Sequence, residues 1–489
     1  MLFNSALYLI FLAIVVILYY IVPSQRVRNV FLLVSSYFFY MQWNSKYAYL
    51  LFFVTLVTYL GAIFITSNVI KEDVKKKKIC LIICLSINLL ILFAFKYLDL
   101  FINYTNTAFS FIGMPKLFNR LNLVLPVGIS FFILQSLGYL IDVYRGDIEA
   151  EKDFITYGLF VSFFPQLVAG PIERSKNLLH QFKNKIKFKY ENLQRGLYYI
   201  MYGLLIKMVI ADNLSTLVDN IYAKPNVYTG WYLIIATIAF AIQIYCDFYG
   251  YSTIARGSAK LLGIELMNNF DAPYFARSIK EFWHRWHISL STWFRDYVYI
   301  PLGGNKNGRV KTYLNLLMVF LISGLWHGAS LSFILWGLIN GLFQILEDIF
   351  KRIFHKNNLS YKKGIINLLL TNLLILFSWI FFRSGSWHNS KIVLSYLFSN
   401  LDNLSTFSFK NLMKIWDVPV KLVNGTCFTI LLLIFLDYIK YKKIDILNYI
   451  IKKNIIIRYY IIILLFVLLI IFGHYGDYYD PQKFIYFQF

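Results

Sequence analysis

The chain has 489 residues, 58% of them hydrophobic, and its 48 lysines and arginines against 25 acidic residues give a formal net charge of +23. Apolar runs of about 20 residues recur almost end to end, which excludes an ordinary soluble domain. The pattern predicts an all-α, polytopic membrane protein, because a transmembrane barrel would show alternating segments of about ten residues. A nucleic-acid partner is not expected, because the sequence contains no soluble basic domain. The expected surroundings of the chain are the lipid bilayer.

The apolar segments predict roughly 11 transmembrane helices, at about 20 residues per crossing. Shorter pieces would be re-entrant or amphipathic helices around a central tunnel, all within one transmembrane domain over residues 1–489. The segments lie near residues 3–22, 30–43, 47–70, 79–98, 100–113, 123–143, 154–172, 196–218, 230–250, 312–330, 331–350, 364–382, 391–399, 420–438 and 459–473.

Basic loops indicate which parts of the chain face the cytoplasm, because cytoplasmic loops are enriched in lysine and arginine. Four loops are predicted to be cytoplasmic: Lys71–Lys78, Lys183–Lys189, Lys351–Lys363 and Lys440–Arg458. Counting crossings from the last two places the aromatic tail, residues 476–489, on the extracytoplasmic side. The same rule places Met1 there, so both termini are predicted to be extracytoplasmic.

The stretch from residue 271 to 311, "DAPYFARSIKEFWHRWHISLSTWFRDYVYIPLGGNKNGRVK", is dense in charge yet rich in aromatic residues. No part of it is apolar enough to span a membrane. Arg277, Lys280, Arg285 and Arg295 lie among tryptophans at helical spacing, which predicts amphipathic or re-entrant helices at the interface or packed within the protein. Binding of anionic lipid head groups is an alternative role for this block.

One histidine lies within an apolar segment. His327 belongs to "FLISGLWHGASLSFILWG", where Gly324 and Gly328 flank it. An ionisable group at such a position is a hypothesis of function, and its small neighbours would admit another chain or a substrate. The alternative is a neutral histidine that hydrogen-bonds across helices.

Other polar residues interrupt the apolar segments and favour a polar tunnel, since broken backbone at membrane depth is tolerated only where protein or a water-filled cavity covers it. They are Gln135, Asp142, Gln243, Asp247, Arg256 and the Pro- and Gly-containing "FFPQLVAGPIERS". No P-loop, nucleophile elbow or HExxH motif occurs, and the spacing of the four cysteines predicts neither a metal site nor a disulfide framework.

Six stretches carry a resemblance that covers essentially the whole chain: Ser130–Gly146, Phe164–Ile172, Gln243–Ser252, Glu281–Asn305, Gly324–Ser330 and the terminal "FIYFQF". They resemble the membrane-bound O-acyltransferases, above all the bacterial branch of alginate and peptidoglycan O-acetyltransferase membrane subunits. The teichoic-acid D-alanylation protein is a cousin of that branch.

The resemblance implies that His327 is the catalytic histidine and His287 a second functional one. It implies an acyl-thioester donor on the inner side, acetyl-CoA or another thioester acting as substrate rather than as a bound cofactor, and an acceptor outside. Histidine suits this chemistry, because a hydroxyl nucleophile needs a base that titrates near neutrality. The basic block Arg277–Lys311 would hold the phosphates of coenzyme A or of a carrier's phosphopantetheine arm. Its predicted donor-binding residues are Arg277, Lys280, Arg285 and Arg295.

The resemblance also implies a role for the aromatic tail. Its tyrosine, Tyr486, would carry the acyl group after His327 deprotonates the phenol and the phenol attacks the thioester. The resulting aryl ester could pass its acyl group to an external acceptor or partner enzyme, because a phenol leaves more readily than an alkyl alcohol. The alternative is an aromatic residue of the outer membrane boundary.

We therefore predict an O-acyltransferase of the bacterial cytoplasmic membrane, transferring acetyl groups for O-acetylation of a cell-surface polysaccharide or peptidoglycan. A separate extracytoplasmic acetyltransferase is the expected partner, and the glycan is the final acceptor. D-alanyl transfer to teichoic acid, a transporter or flippase, and a scaffold for envelope enzymes are the alternatives.

Overall fold

The computed structural model describes residues 1–356, 364–401 and 407–474, apart from residues 69, 71, 117 and 169. Throughout these residues the regular structure is helical, which confirms the predicted all-α class. Contacts divide the chain into two compact units. The first comprises Met1–Lys189 and Ser258–Leu266, and the second comprises Tyr190–Gly257 and the described residues from Met267 onward.

Nine helices lie within the described residues of the first unit, and several of them begin at a side chain that caps the free backbone N–H groups of the first turn. Asp73 caps α4, and Asp153 caps α7. The helices are α1 Ala6–Ile21, α2 Gln25–Met41, α3 Lys46–Thr66, α4 Val74–Lys96, α5 Leu98–Phe111, α6 Ile129–Arg145, α7 Phe154–Ser162, α8 Phe164–Leu167 and α9 Ser175–Lys183.

The second unit contains the remaining helices and both histidines of interest. They are α10 Tyr190–Leu205, α11 Asp212–Ala223, α12 Trp231–Leu261 (whose last residues belong to the first unit), α13 Ile279–Arg285, α14 Ile288–Phe294, α15 Arg309–His327, α16 Leu331–Lys356, α17 Ile365–Ser384, α18 Trp387–Leu397, α19 Phe409–Trp416, α20 Val420–Tyr441, α21 Ile446–Ile451 and α22 Ile455–Phe472. Two π-helical segments, Ile206–Ala211 and Arg295–Tyr299, and a 3₁₀ turn, Pro273–Phe275, lie between them.

Nine helical stretches in the described part of the chain are long and apolar enough to cross a membrane, which confirms a polytopic protein. The predicted total of roughly 11 stays a prediction. The nine are Lys46–Thr66, Val74–Lys96, Tyr190–Ala223, Trp231–Leu261, Arg309–His327, Leu331–Ile353, Ile365–Ser384, Val420–Tyr441 and Ile455–Phe472.

The aromatic, basic block at 271–311 consists of short elements before α15 begins. Its helices α13 and α14 have seven residues each, too few to span a bilayer. Ser278 caps α13 by accepting a hydrogen bond from the Glu281 backbone N–H at 3.0 Å. The predicted re-entrant role of this block and the single-domain boundaries stay predictions, and the tail at 476–489 lies outside the described residues.

Candidate active site

The hairpin of α15 and α16 positions His327, the last residue of α15. The two helices pack very closely because Gly324 of α15 and Gly328, the residue after α15, leave no side chain between them. A Cβ atom at Gly324 would lie 2.4 Å from the carbonyl oxygen of Phe333, and one at Gly328 would lie 2.3 Å from the Phe333 ring. The small residues around the histidine therefore admit the next helix of the same chain.

Aromatic rings surround His327, which is only 5% exposed. Its ring centroid lies 4.9 Å from Trp336 on α16, in a T-shaped arrangement, and 5.2 Å from Phe382 on α17. The preceding residue, Trp326, packs against the imidazole at 4.8 Å. The imidazole thus sits in an apolar setting, where polar interactions are stronger than in water.

His287, between α13 and α14, is the second buried histidine, with 2% of its surface exposed. Its ring lies 4.6 Å from Phe248 of α12 and 6.3 Å from Trp326, so Trp326 contacts both histidines. Burial lowers the pKa of His287 to about 3, and this residue lies outside the membrane-spanning helices. Its imidazole is therefore neutral at physiological pH.

The backbone of His287 adopts a left-handed conformation with φ of +43°, which is uncommon for a residue other than glycine. Asn269 holds this turn. Its carbonyl oxygen accepts a hydrogen bond from the Ile288 backbone N–H at 2.9 Å, and its side-chain Oδ1 accepts one from Ser289 at 3.3 Å. This role of Asn269 could not be predicted from the sequence, because nothing in "MNNFDAP" distinguishes it from an ordinary loop asparagine.

A buried ionic cluster lies next to this region. Lys207 Nζ, in the π-helical segment Ile206–Ala211, lies 2.7 Å from Asp212 Oδ1 and 2.5 Å from Asp247 Oδ1. All three side chains are almost fully buried. Sequence analysis named Asp247 but missed Lys207, although a lone lysine in the apolar run "LLIKMVIA" is a signal of an intramembrane site.

The predicted donor-binding residues fall in different places. The guanidinium groups of Arg277 and Arg285 both lie over the ring of Tyr441, at 5.9 and 5.0 Å from its centroid. Lys280 is exposed beside these residues on α13, whereas Arg295 lies in the second π-helical segment and is exposed.

Arg285 also forms two ion pairs, with Asp271 at 3.1 Å and with Glu281 at 3.0 Å. Arg295 pairs with its neighbour Asp296 at 2.7 Å. The structure therefore brings Arg277 and Arg285 together around one aromatic ring, at the end of α20.

Tyr486 lies outside the described residues. The chain is described as far as His474, whose Nδ1 lies 2.9 Å from Asn213 Oδ1 at the start of α11. The His474 backbone N–H donates to the Met208 carbonyl oxygen at 3.3 Å. The segment that leads to the tail is thus attached to the region that contains the buried ionic cluster.

Fold and site together define a class of protein: an all-helical, multi-pass membrane protein with two buried histidines among aromatic side chains. A family model for the membrane-bound O-acyltransferase family matches residues 150–384 of the chain. Over 402 residues the chain is 38% identical to a "probable alginate O-acetylase" of Pseudomonas syringae pv. tomato, covering 82% of this chain and 75% of that protein.

Two further relatives place the chain within the family. It is 35% identical over 425 residues to the peptidoglycan O-acetyltransferase of Helicobacter pylori, covering 81% of this chain and 79% of the relative. It is 27% identical over 286 residues to the teichoic acid D-alanyltransferase of Bacillus subtilis, covering 55% and 71%. The chain belongs to the membrane-bound O-acyltransferase family and is an O-acyltransferase.

Proposed function

We propose that the protein transfers an acetyl group from a cytoplasmic thioester, acetyl-CoA, to an acceptor hydroxyl on the outer side of the bacterial cytoplasmic membrane. The observation that carries this proposal is the arrangement of His327 and His287, both buried and both in contact with Trp326. The imidazole of His327 is suited to take the proton of a hydroxyl. The imidazole of His287, which is neutral, is suited to donate a hydrogen bond.

The transfer needs no reactant other than the thioester and the acceptor hydroxyl. A nitrogen of His327 accepts the hydroxyl proton while the oxygen attacks the thioester carbonyl carbon. The carbon–sulfur bond then breaks, the thiolate leaves, and it takes the proton from His327. The imidazole of His287 is neutral because burial lowers its pKa. Its single N–H can donate a hydrogen bond to the acyl carbonyl oxygen. The products are an ester and free coenzyme A.

The first acceptor in this proposal is the phenol of Tyr486, which then passes the acetyl group outward. The attachment of His474 to Asn213 supports a fixed starting point for this tail. Tyr486 lies twelve positions after His474, and a chain of that length reaches up to about 40 Å when extended.

The donor's phosphates are proposed to bind at Arg277 and Arg285, next to Tyr441. Tyr441 is the last residue of α20 and follows Lys440 directly. The loop after it is rich in lysine, which is typical of the cytoplasmic side. Lys280 would add positive charge around this entrance, and Arg295 would contribute from the π-helical segment Arg295–Tyr299. In the proposed orientation both chain termini are extracytoplasmic.

The final acceptor is proposed to be a cell-surface polysaccharide or peptidoglycan, reached through a separate extracytoplasmic acetyltransferase. The names of the relatives at 35% and 38% identity support acetyl transfer to glycans. D-alanyl transfer to teichoic acid is supported less, because that relative is 27% identical over a shorter stretch. Family membership argues against a transporter or a passive scaffold.

The test is mass spectrometry of the tail peptide after the purified protein has been incubated with acetyl-CoA. An acetyl adduct on the wild-type tail is expected, and both Tyr486→Phe and His327→Ala should abolish it. His284→Ala is the matched control, because His284 is an exposed histidine three residues from His287 and should leave the adduct intact. An unmodified tail, with envelope acetylation intact in a Tyr486→Phe strain, would contradict the tyrosine relay.

A further inference from the structure

The indole N–H of Trp336 is a buried hydrogen-bond donor beside His327. Trp336 is 1% exposed, and its Nε1 atom is buried with no hydrogen-bond partner among the described residues. Burying a hydrogen-bond donor without a partner is unfavourable, and a phenylalanine would provide an aromatic ring without such a donor. A buried donor that the protein leaves without an acceptor points to a ligand that supplies one.

The position of Trp336 indicates which ligand this is. The indole packs against the catalytic-histidine candidate, with its centroid 4.9 Å from His327. Three further aromatic rings lie close to it: Phe382 at 5.2 Å, Trp283 at 5.6 Å and Trp379 at 6.1 Å. In such an apolar setting a hydrogen bond to developing negative charge is much stronger than in water.

We propose that Trp336 is a catalytic residue whose indole N–H donates a hydrogen bond to the carbonyl oxygen of the acyl group. This inference rests on the proposed function. When the hydroxyl oxygen adds to the carbonyl carbon, the carbonyl electron pair moves onto that oxygen, and the indole N–H stabilises the resulting oxyanion. The pair returns when the carbon–sulfur bond breaks, so Trp336 keeps its proton throughout and His327 alone carries the transferred one.

Another tryptophan provides a matched control. Trp416, on α19 of the same unit, is also buried, but its indole N–H donates to the Asn213 carbonyl oxygen at 2.7 Å. Trp416→Phe removes a satisfied donor and should lower the thermal unfolding midpoint. Trp336→Phe removes a donor that has no partner among the described residues and should lower the midpoint less than Trp416→Phe does, while affecting recognition of the acyl carbonyl.

The experiment compares two non-reactive coenzyme A analogues on the full-length protein in detergent. S-acetonyl-CoA carries a ketone, whereas S-ethyl-CoA has no carbonyl. The wild type should bind the ketone more tightly, and Trp336→Phe should reduce this preference about tenfold, the size of one hydrogen bond. Its kcat for acetyl transfer should fall about 10²–10³-fold with little change in KM for acetyl-CoA, the usual result of removing one oxyanion donor. Trp416→Phe should keep the wild-type preference.

An unchanged preference in Trp336→Phe would overturn the proposal, whatever its kcat. If that variant does not fold, benzothienylalanine at position 336 replaces the N–H by sulfur and retains the ring shape, and the same comparison decides. Failure of the proposed function gives a different result, because the wild type itself would then neither transfer acetyl from acetyl-CoA nor distinguish the two analogues.

Discussion

Lys207 and Asp247 form an ion pair, with Nζ and Oδ1 2.5 Å apart, between the π-helical segment after α10 and the middle of α12. The backbones approach closely here, since a Cβ at Gly250 would lie 2.9 Å from the Gly203 carbonyl oxygen. The residue after Asp247 is Phe248, whose ring packs against His287. The buried ions thus fix the helix that forms one wall of the site.

Replacing Lys207 by methionine should strongly destabilise the protein. The carboxylates of Asp212 and Asp247 would remain buried without their cation, and breaking a buried ion pair in this way costs about 3–5 kcal/mol. The thermal unfolding midpoint of the detergent-purified protein measures the effect. Arg352→Met, which breaks an exposed pair with Asp348, is the control and should leave the midpoint almost unchanged. Equal midpoints for the two variants would contradict this role of the cluster.

Alanine at Gly324 should separate α15 from α16 and displace His327. The added Cβ would meet the backbone oxygen of Phe333, which cannot move independently of its helix, and such overpacking costs about 1–3 kcal/mol. Both the unfolding midpoint and acetyl transfer should fall. Gly158→Ala is the control, because its Cβ would lie 3.5 Å from Leu33, an ordinary contact. That variant should be as stable as the wild type or slightly more stable.

Leucine at Asn269 should impair the reaction through His287. It removes the Oδ1 acceptor of the Ser289 N–H, so the left-handed turn at His287 loses one of the two hydrogen bonds that Asn269 accepts from it. We expect kcat to fall about tenfold, as for the loss of about 1.4 kcal/mol of transition-state stabilisation. A double-mutant cycle with His287→Asn tests the mechanism, because asparagine tolerates the left-handed conformation. In the His287→Asn background, Asn269→Leu should lower kcat little further. If the two fold-losses in kcat multiply instead, Asn269 acts independently of His287.

Glutamine at Arg285 should weaken binding of the phosphate-bearing donor. Removing a charged hydrogen-bond donor costs about 1.5–3 kcal/mol, so KM for acetyl-CoA should rise about ten- to a hundredfold. N,S-diacetylcysteamine has the same acetyl thioester without phosphates, and its KM should not change. A parallel rise for both donors would show that Arg285 supports the fold around Tyr441 rather than the phosphates.

Part of this site could be predicted from the sequence because its signals are local. Repeated apolar runs predict the helical membrane protein, and a single histidine in one of them identifies His327. Tertiary features could not be predicted in this way. Lys207 and Asp247 are 40 positions apart, and the approach of α10 and α12 brings them together. The sequence predicts that another chain or a substrate approaches Gly324, whereas in the structure Phe333 of the same chain lies there, which depends on how α16 folds back.

The aromatic walls of the site have a practical consequence. Five of the ten tryptophans of the chain, Trp283, Trp286, Trp326, Trp336 and Trp379, lie in contact with one another or with the two histidines. Half of the indole fluorophores therefore lie around the proposed reaction centre. Because indole emission responds to the polarity of its surroundings, entry of an acyl donor can be followed by intrinsic fluorescence, without a label and before any chemistry takes place.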